Sequence, residues 1–253
     1  MARLQLGRSR CQIVGSTVPA GEFSLAAGDS IFFPHHTLLW TDPATELSAM
    51  PLDDWNRSIS SLPIVMLQAR GPGAIALSDN HAGEIVALPL QRGQRMWAHQ
   101  NRFLCATGNV SYRWDLSAIW YELGRGPGAR MCYPMGESGD IFHADGGPGL
   151  VLLHSPGNTF IRDLDDGESI LIRPDSLLYR DLSVQADLHL EYPRMDLAGG
   201  FAKQQLNYHH ILARLTGPGR IAMQSVFERP EENGLPIGQH TQATTSDWTV
   251  VIE

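Results

Sequence analysis

The residues best equipped for chemistry in this 253-residue chain are its ten histidines. Metal sites carried on β-strands commonly use two histidines one residue apart on one face, with a carboxylate and a further histidine. No His-x-His occurs here. His35–His36 and His209–His210 are adjacent pairs, so on a strand their side chains point to opposite faces. One histidine of each pair could meet the other across sheets, with His143, His154 or His189 beside them. The spacing specifies no metal set, and none is assigned. His35, His36, Trp40, His209 and His210 stand instead as a candidate patch for a partner or ligand.

Other constellations lead to turns and core. Asp163, Asp165, Asp166 and Glu168 are too closely spaced for a calcium loop and read as a hairpin turn closed at Asp166-Gly167. Gly136-Glu137-Ser138-Gly139 lacks the spacing of a nucleophile elbow. Neither a Walker A loop nor Gly-x-Gly-x-x-Gly is present. The three cysteines, Cys11, Cys105 and Cys132, form no C-x-x-C and no disulfide framework. Cys105, between apolar neighbours, reads as a core thiol. No catalytic residue and no cofactor is expected.

The elements that must position these residues are β-strands. Gly-Pro-Gly begins at Gly71, Gly126, Gly147 and Gly217. Proline presets one turn position and glycine supplies positive φ at another. Three of the four lead into strand-like runs: Ala74–Leu77, Leu150–His154 and Arg220–Gln224. The second run is apolar throughout, as in a strand buried on both faces. His81–Val110 overlies Ser155–Val184 without a gap, pairing Gly83 with Gly157, Leu90 with Leu164, Gly93 with Gly167 and Val110 with Val184. Gly28–Phe33 resembles Gly167–Ile172. The reading is all-β, of repeated β-sandwich or double-stranded β-helix modules with few or no helices. It is one domain, 1–253, with repeats at about 1–70, 71–145 and 146–253. Pro51–Ser58 reads as a short turn. Phe201–Leu215 fits helix or strand, with a strand hairpin preferred. The acidic block from Glu137 to Glu191 reads as a solvated outer surface. The six tryptophans read mainly as core, with an oligomer or partner interface and then a ligand pocket as the alternatives.

Composition narrows the classes further. With 43% hydrophobic and 18% charged residues, the chain is neither coiled coil nor disordered. A net charge of −8 opposes general nucleic-acid binding. No apolar run approaches the roughly 20 residues that span a bilayer as a helix. Met1–Cys11 carries Arg3, Arg8 and Arg10 and no apolar core, so the expectation is a cytoplasmic protein with reduced thiols.

The order of these motifs carries a resemblance. A Gly-Asp-Ser strand (Leu25–Phe33) is followed by a Gly-Pro-Gly strand (Gly71–Ser78) and another at Gly147–Leu153. A Gly-Glu strand with Pro-Asp-Ser-Leu-Leu then lies within Gly157–Tyr179, and Thr-Gly-Pro-Gly closes the series within Leu215–Ser225. This resembles the AIM24 family over most of the chain. Pro34–Trp40 departs from the glycine-containing segment of the family and points to a particular bacterial branch, an actinobacterial one. The resemblance implies a fold like that of the tryptophan RNA-binding attenuation protein, the TRAP-like form of the double-stranded β-helix. It implies homo-oligomers, specifically trimers. It links mitochondrial relatives to inner-membrane organisation, and it supplies no catalytic residues. Fold likeness to an RNA binder does not establish function.

Together these readings predict a non-enzymatic homo-oligomeric scaffold with an unknown protein partner, no nucleic acid and no membrane-spanning helix, peripheral membrane contact being left open. The alternative is a small-molecule-binding protein or enzyme with a pocket between β modules. RNA binding by a ring is third.

Overall fold

The computed structural model describes residues 3–6, 8–50, 66–123, 130–190, 211–226, 241–245 and 248–252. Among these the chain is almost entirely strand, with no α-helix and two three-residue 3-10 turns, His35–Thr37 and Pro174–Ser176. No helix is long and apolar enough to cross a membrane.

Three units of six strands share one pairing pattern. Strands β1 (Arg3–Leu6) and β2 (Ser9–Val14) lead into the first unit, β3 (Ala20–Leu25), β4 (Ser30–Pro34), β5 (Leu38–Thr41), β6 (Glu46–Met50), β7 (Met66–Arg70) and β8 (Gly73–Leu77). Its strands form two antiparallel triplets, β3–β8–β5 and β6–β7–β4. The second unit runs through β9 (Gly83–Leu90), β10 (Arg95–His99), β11 (Phe103–Thr107) and β12 (Ser111–Leu116). An insertion, β13 (Trp120–Leu123) and β14 (Arg130–Cys132), precedes its last strands, β15 (Ser138–His143) and β16 (Gly149–Pro156). Its triplets are β9–β16–β11 and β12–β15–β10. The third unit is β17 (Thr159–Leu164), β18 (Ser169–Ile172), β19 (Leu177–Asp181), β20 (Gln185–Leu190), β21 (Ile211–Thr216) and β22 (Gly219–Gln224), with triplets β17–β22–β19 and β20–β21–β18. A closing hairpin, β23 (Thr241–Thr245) and β24 (Trp248–Ile252), pairs with β13.

Glycine spacing explains part of this repetition. The same turn joins the first two strands of each unit. Gly28, Gly93 and Gly167 have φ of +87°, +82° and +76°. The turns close through Asp29 N–H to Ala26 O, Gln94 N–H to Gln91 O and Glu168 N–H to Asp165 O, at 3.0, 2.9 and 3.0 Å. Glycine reaches this left-handed region without a Cβ penalty. The three Gly-Pro-Gly turns within the described residues each stand inside a unit, before its last strand. Gly126 and Pro51–Ser58 lie outside the described residues. So does 201–210, while the rest of the ambiguous segment is strand from Ile211.

The units are joined edge to edge. Strand β4 pairs with β11, and β10 pairs with β19. Each joint fuses the second triplet of one unit to the first triplet of the next, giving two six-stranded sheets. The apolar cores follow the same rule. Leu104 and Cys105 of β11 pack into the core of the first unit with Ile31, Phe33 and Leu77. Leu178 and Tyr179 of β19 pack into that of the second with Met96, Ala98 and Phe142. There Phe103 and Phe142 lie 4.8 Å apart, centroid to centroid, a contact worth about 0.5–1.5 kcal/mol beyond area burial. The core of the third unit, around Ile172, Leu177, Leu188 and Leu215, receives no strand from a following unit among the described residues. The acidic block is not wholly solvated. Asp140 is buried and accepts a 2.8 Å hydrogen bond from Tyr112 Oη, because β15 lies between β12 and β10.

Candidate functional site

The candidate patch gathers at one sheet edge. His35 and His36 form the 3-10 turn between β4 and β5, their rings 5.7 Å apart at 87°. Trp40 follows in β5, the outermost strand of its sheet among the described residues. Thr37 closes the turn by donating its hydroxyl to Pro34 O at 2.8 Å. His209 and His210 lie outside the described residues. Sequence reasoning therefore places three of its five candidates together.

The chemistry of this edge becomes clear by counting from the turn glycines. Four residues past Gly28, Gly93 and Gly167 stand Phe32, Trp97 and Leu171. On the opposing strands β5, β11 and β19, a register shift falls at the same step: Leu38/Trp40, Phe103/Cys105 and Leu177/Tyr179. The middle residue of each shift is a leucine. Leu104 and Leu178 are 0% exposed, whereas Leu39 is 59% exposed. Cys105 and Tyr179 are buried, whereas Trp40 is 42% exposed. Phe32 and Trp97 are buried, whereas Leu171 is 39% exposed. The buried positions are covered by a neighbouring unit, and among the described residues the exposed ones are not. Exposed apolar side chains along a sheet edge that is unpaired among the described residues offer a template for strand pairing.

The filled joints show what such an edge does when paired. In the first, Phe32 stands opposite Ala106 and Ile31 opposite Thr107. In the second, Trp97 stands opposite Arg180, Met96 opposite Asp181 and Ala98 opposite Tyr179. Arg180 places its guanidinium 5.9 Å from the Trp97 ring centroid and donates Nη1–H to Val184 O at 2.5 Å. Gly139 makes room for that indole, since a Cβ there would stand 1.7 Å from Trp97 Nε1.

Beside the open edge lies a group that the sequence did not single out as a unit. Asp79, two residues past β8, stands among histidines. Its Oδ2 is 2.8 Å from His154 Nδ1 and 3.3 Å from His81 Nδ1. His154 Nε2 faces His81 O at 3.1 Å. His154 is 2% exposed on β16, while the His81 side chain is 76% exposed. Ser78 N–H donates to Thr37 O at 2.8 Å, which holds this linker against the His35–Thr37 turn. Burial pushes the Asp79 carboxyl up. Hydrogen bonding and charge from His154, then from His81, outweigh it and hold the group below the ordinary carboxylate range. Burial and the charge of His35 lower His36, with Asp79 acting in the opposite sense. The available signal was His154 itself, a polar residue closing the apolar run Leu150–Leu153 within its strand. Its partner was hidden because Asp79 lies 75 positions earlier by residue number.

The remaining candidates are structural. Cys11 and Cys105 are buried, and burial raises Cys11 to about 12 and Cys105 well above the ordinary thiol range. No group of three or more metal-ligating side chains suited to an ion occurs among the described residues. Asp163 and Glu168 pair at the surface with Arg220 and Arg162.

An all-β chain of repeated antiparallel triplets, joined edge to edge, is the class of protein that this arrangement defines. The family model described as Mitochondrial biogenesis AIM24 matches residues 11–226. The chain belongs to the AIM24 family. A crystal structure of a Streptococcus pyogenes protein is similar, with a TM-score of 0.63 and 20% identity, over 87% of this chain and 94% of that one. At that identity the likeness concerns the fold. No curated protein matches the sequence.

Proposed function

We propose that this protein is a non-enzymatic scaffold, a single domain of three β units that assembles with copies of itself into a closed homo-oligomer. Assembly uses β18 of one copy against β5 of the next. The observation that carries this reading is the exposure of Leu39, Trp40 and Leu171 at positions whose counterparts are buried in both joints within the chain. Carrying the register of those joints over sets Ile170 opposite Asp42, Leu171 opposite Thr41 and Ile172 opposite Trp40. Leu39 then enters the core of the adjoining third unit, as Leu104 and Leu178 enter the first and second. Fully burying such a side chain is worth about 1.5–3 kcal/mol. Closure of the ring removes β5 and β18 as edges open to uncontrolled pairing. A trimer is the assembly size that family membership favours.

One hydrogen bond of the filled joints has no counterpart. Gly108 and Leu182 donate their backbone N–H to Ser30 O and Arg95 O. The equivalent position after β5 is Pro43, which lacks the donor. The proposed joint is one bond shorter and relies more on its side chains.

The test is light scattering on the full chain and on Leu171→Arg. The expected result is a trimer for the parent and a folded monomer for the variant, because a charge facing the core of the joint loses its solvation. A monomeric parent, or a variant that still assembles, refutes the assignment.

A further inference from the structure

Pairing β5 with β18 leaves other sheet edges, and one of them is unlike its counterparts. The first strands of the three units, β3, β9 and β17, hold the same place in their triplets. Strand β3 is covered by β2, with Cys11 opposite Phe23 and Ile13 opposite Gly21. Strand β9 is outermost among the described residues and carries Pro89, four residues before Gly93. A proline on an edge strand lacks the donor that an added strand would use. Strand β17 is likewise outermost among the described residues, but it has Asp163 at the position of Pro89. It has neither a covering strand nor a proline.

The backbone of β17 is set to accept a strand. Ser225 N–H donates to Asn158 O at 2.9 Å. Alternation along the antiparallel pair then turns Phe160 and Arg162 toward β22, and Thr159, Ile161 and Asp163 toward the open side. The same phase is seen at Thr159, whose N–H leaves β22 and donates to Glu84 Oε2 at 2.9 Å. The N–H and C=O of Ile161 and Asp163 meet no backbone partner among the described residues. Phe160 and Ile161 are each 54% exposed, on opposite faces of the strand. Val86, the counterpart of Phe160 seven residues before the turn glycine, is buried.

Charge selects the occupant. Asp163 pairs with Arg220, and Glu168 with Arg162, both at 2.7 Å. Glu84, at the Thr159 end, and the exposed Asp165 and Asp166, at the other, have no ion pair among the described residues. The edge is apolar in its middle and acidic at both ends. A second copy fits it poorly. Antiparallel self-pairing about Ile161 sets Asp163 of one copy opposite Thr159 of the other, beside Glu84, carboxylate against carboxylate.

We propose that β17 takes up an extended peptide of a partner protein as an added antiparallel strand, one with two adjacent apolar residues flanked by lysine or arginine. The added strand exchanges backbone hydrogen bonds with Ile161 and Asp163. Its apolar pair lies against Phe160 and Ile161, and its basic residues face Glu84 and the turn at Asp165-Asp166. In strand addition, main-chain bonds give affinity and side chains give specificity. This edge is separate from the seam between copies and does not depend on it.

Fluorescence anisotropy of the full chain with the fluorescein-labelled peptide Lys-Thr-Lys-Thr-Ile-Val-Lys-amide tests the site. The expected result is saturable binding, at least ~10-fold weaker when glutamate replaces the three lysines. Ile161→Pro removes an outward N–H without changing charge, and is expected to weaken binding at least ~10-fold with an unchanged β spectrum. Ile161→Lys keeps the donor and opposes the basic peptide, and is expected to weaken binding by a similar factor. It decides the matter if the proline variant does not fold. Absence of binding, or equal binding of the two peptides, overturns the proposal. Binding that a folded variant leaves untouched is charge attraction to an acidic chain alone and also overturns it. Pairing of parent copies that is lost in Ile161→Lys, with no peptide bound, makes a second copy the occupant and overturns it too.

Discussion

The joints β4–β11 and β10–β19 and the edges β5 and β18, open among the described residues, use equivalent strands, the same turn and the same register shift, yet they end in opposite states. In the joints, leucine, cysteine, tyrosine, phenylalanine and tryptophan vanish into the core. At the open edges, Leu39, Trp40 and Leu171 face solvent. The difference shows that each unit supplies only part of its own core. A unit is completed by the first triplet of the next one, and the third unit has no next one within the described chain. Pairing strand edges leaves no local mark in a sequence, but an apolar side chain left exposed at a repeated position does.

Leucine offers the largest break in this comparison, since it fills the same step in all three units. Leu104→Ala and Leu178→Ala each empty a fully buried site and are expected to cost about 2–5 kcal/mol in urea unfolding. Leu39→Ala is expected to cost less than about 1 kcal/mol when measured on free copies, and to weaken assembly instead. Equal losses at all three positions would mean that Leu39 is buried some other way, and the comparison would fail.

A smaller effect sharpens the picture at the linker between the first two units. The Asp79 carboxyl is held below its ordinary value of 3.8. A carboxyl depressed in the folded state stabilises the fold fully above that value, and the contribution is lost as pH falls through the depressed one. The parent is therefore expected to lose stability on acidification below about pH 4, while Asp79→Asn loses less over the same range. Urea midpoints at neutral and acid pH measure this. Parallel losses in the two proteins would show that Asp79 does not tie the linker to His154.

Much of the fold was legible because it is written in turns. The Gly-Pro-Gly runs lead into β8, β16 and β22, and the likeness of Gly28–Phe33 to Gly167–Ile172 marks β4 and β18 as counterparts. The overlay of His81–Val110 on Ser155–Val184 anticipates β9, β10 and β11 matching β17, β18 and β19. Turn chemistry is local, so one sequence is enough to read it. The joints were not legible, because β4 meets β11 and β10 meets β19 across scores of residues. His35, His36 and Trp40 were found by residue type, and the reason for their clustering came only with the edge they occupy. Asp79 escaped for the same cause as the joints. It acts through His154, which chain order places far away and sheet pairing brings within 2.8 Å.

The central claim is that β18 of one copy pairs with β5 of another, with Leu171 opposite Thr41. Directly opposed residues on antiparallel strands lie about 4.5–5.5 Å apart at Cα, within the range that a disulfide spans. Thr41→Cys/Leu171→Cys in a Cys132→Ser background, oxidised mildly and run on a non-reducing gel, is the direct measurement. The account predicts covalent dimers and trimers from the pair and no ladder above a dimer from either cysteine alone. A pair that stays monomeric on the gel while the native protein is assembled would contradict it.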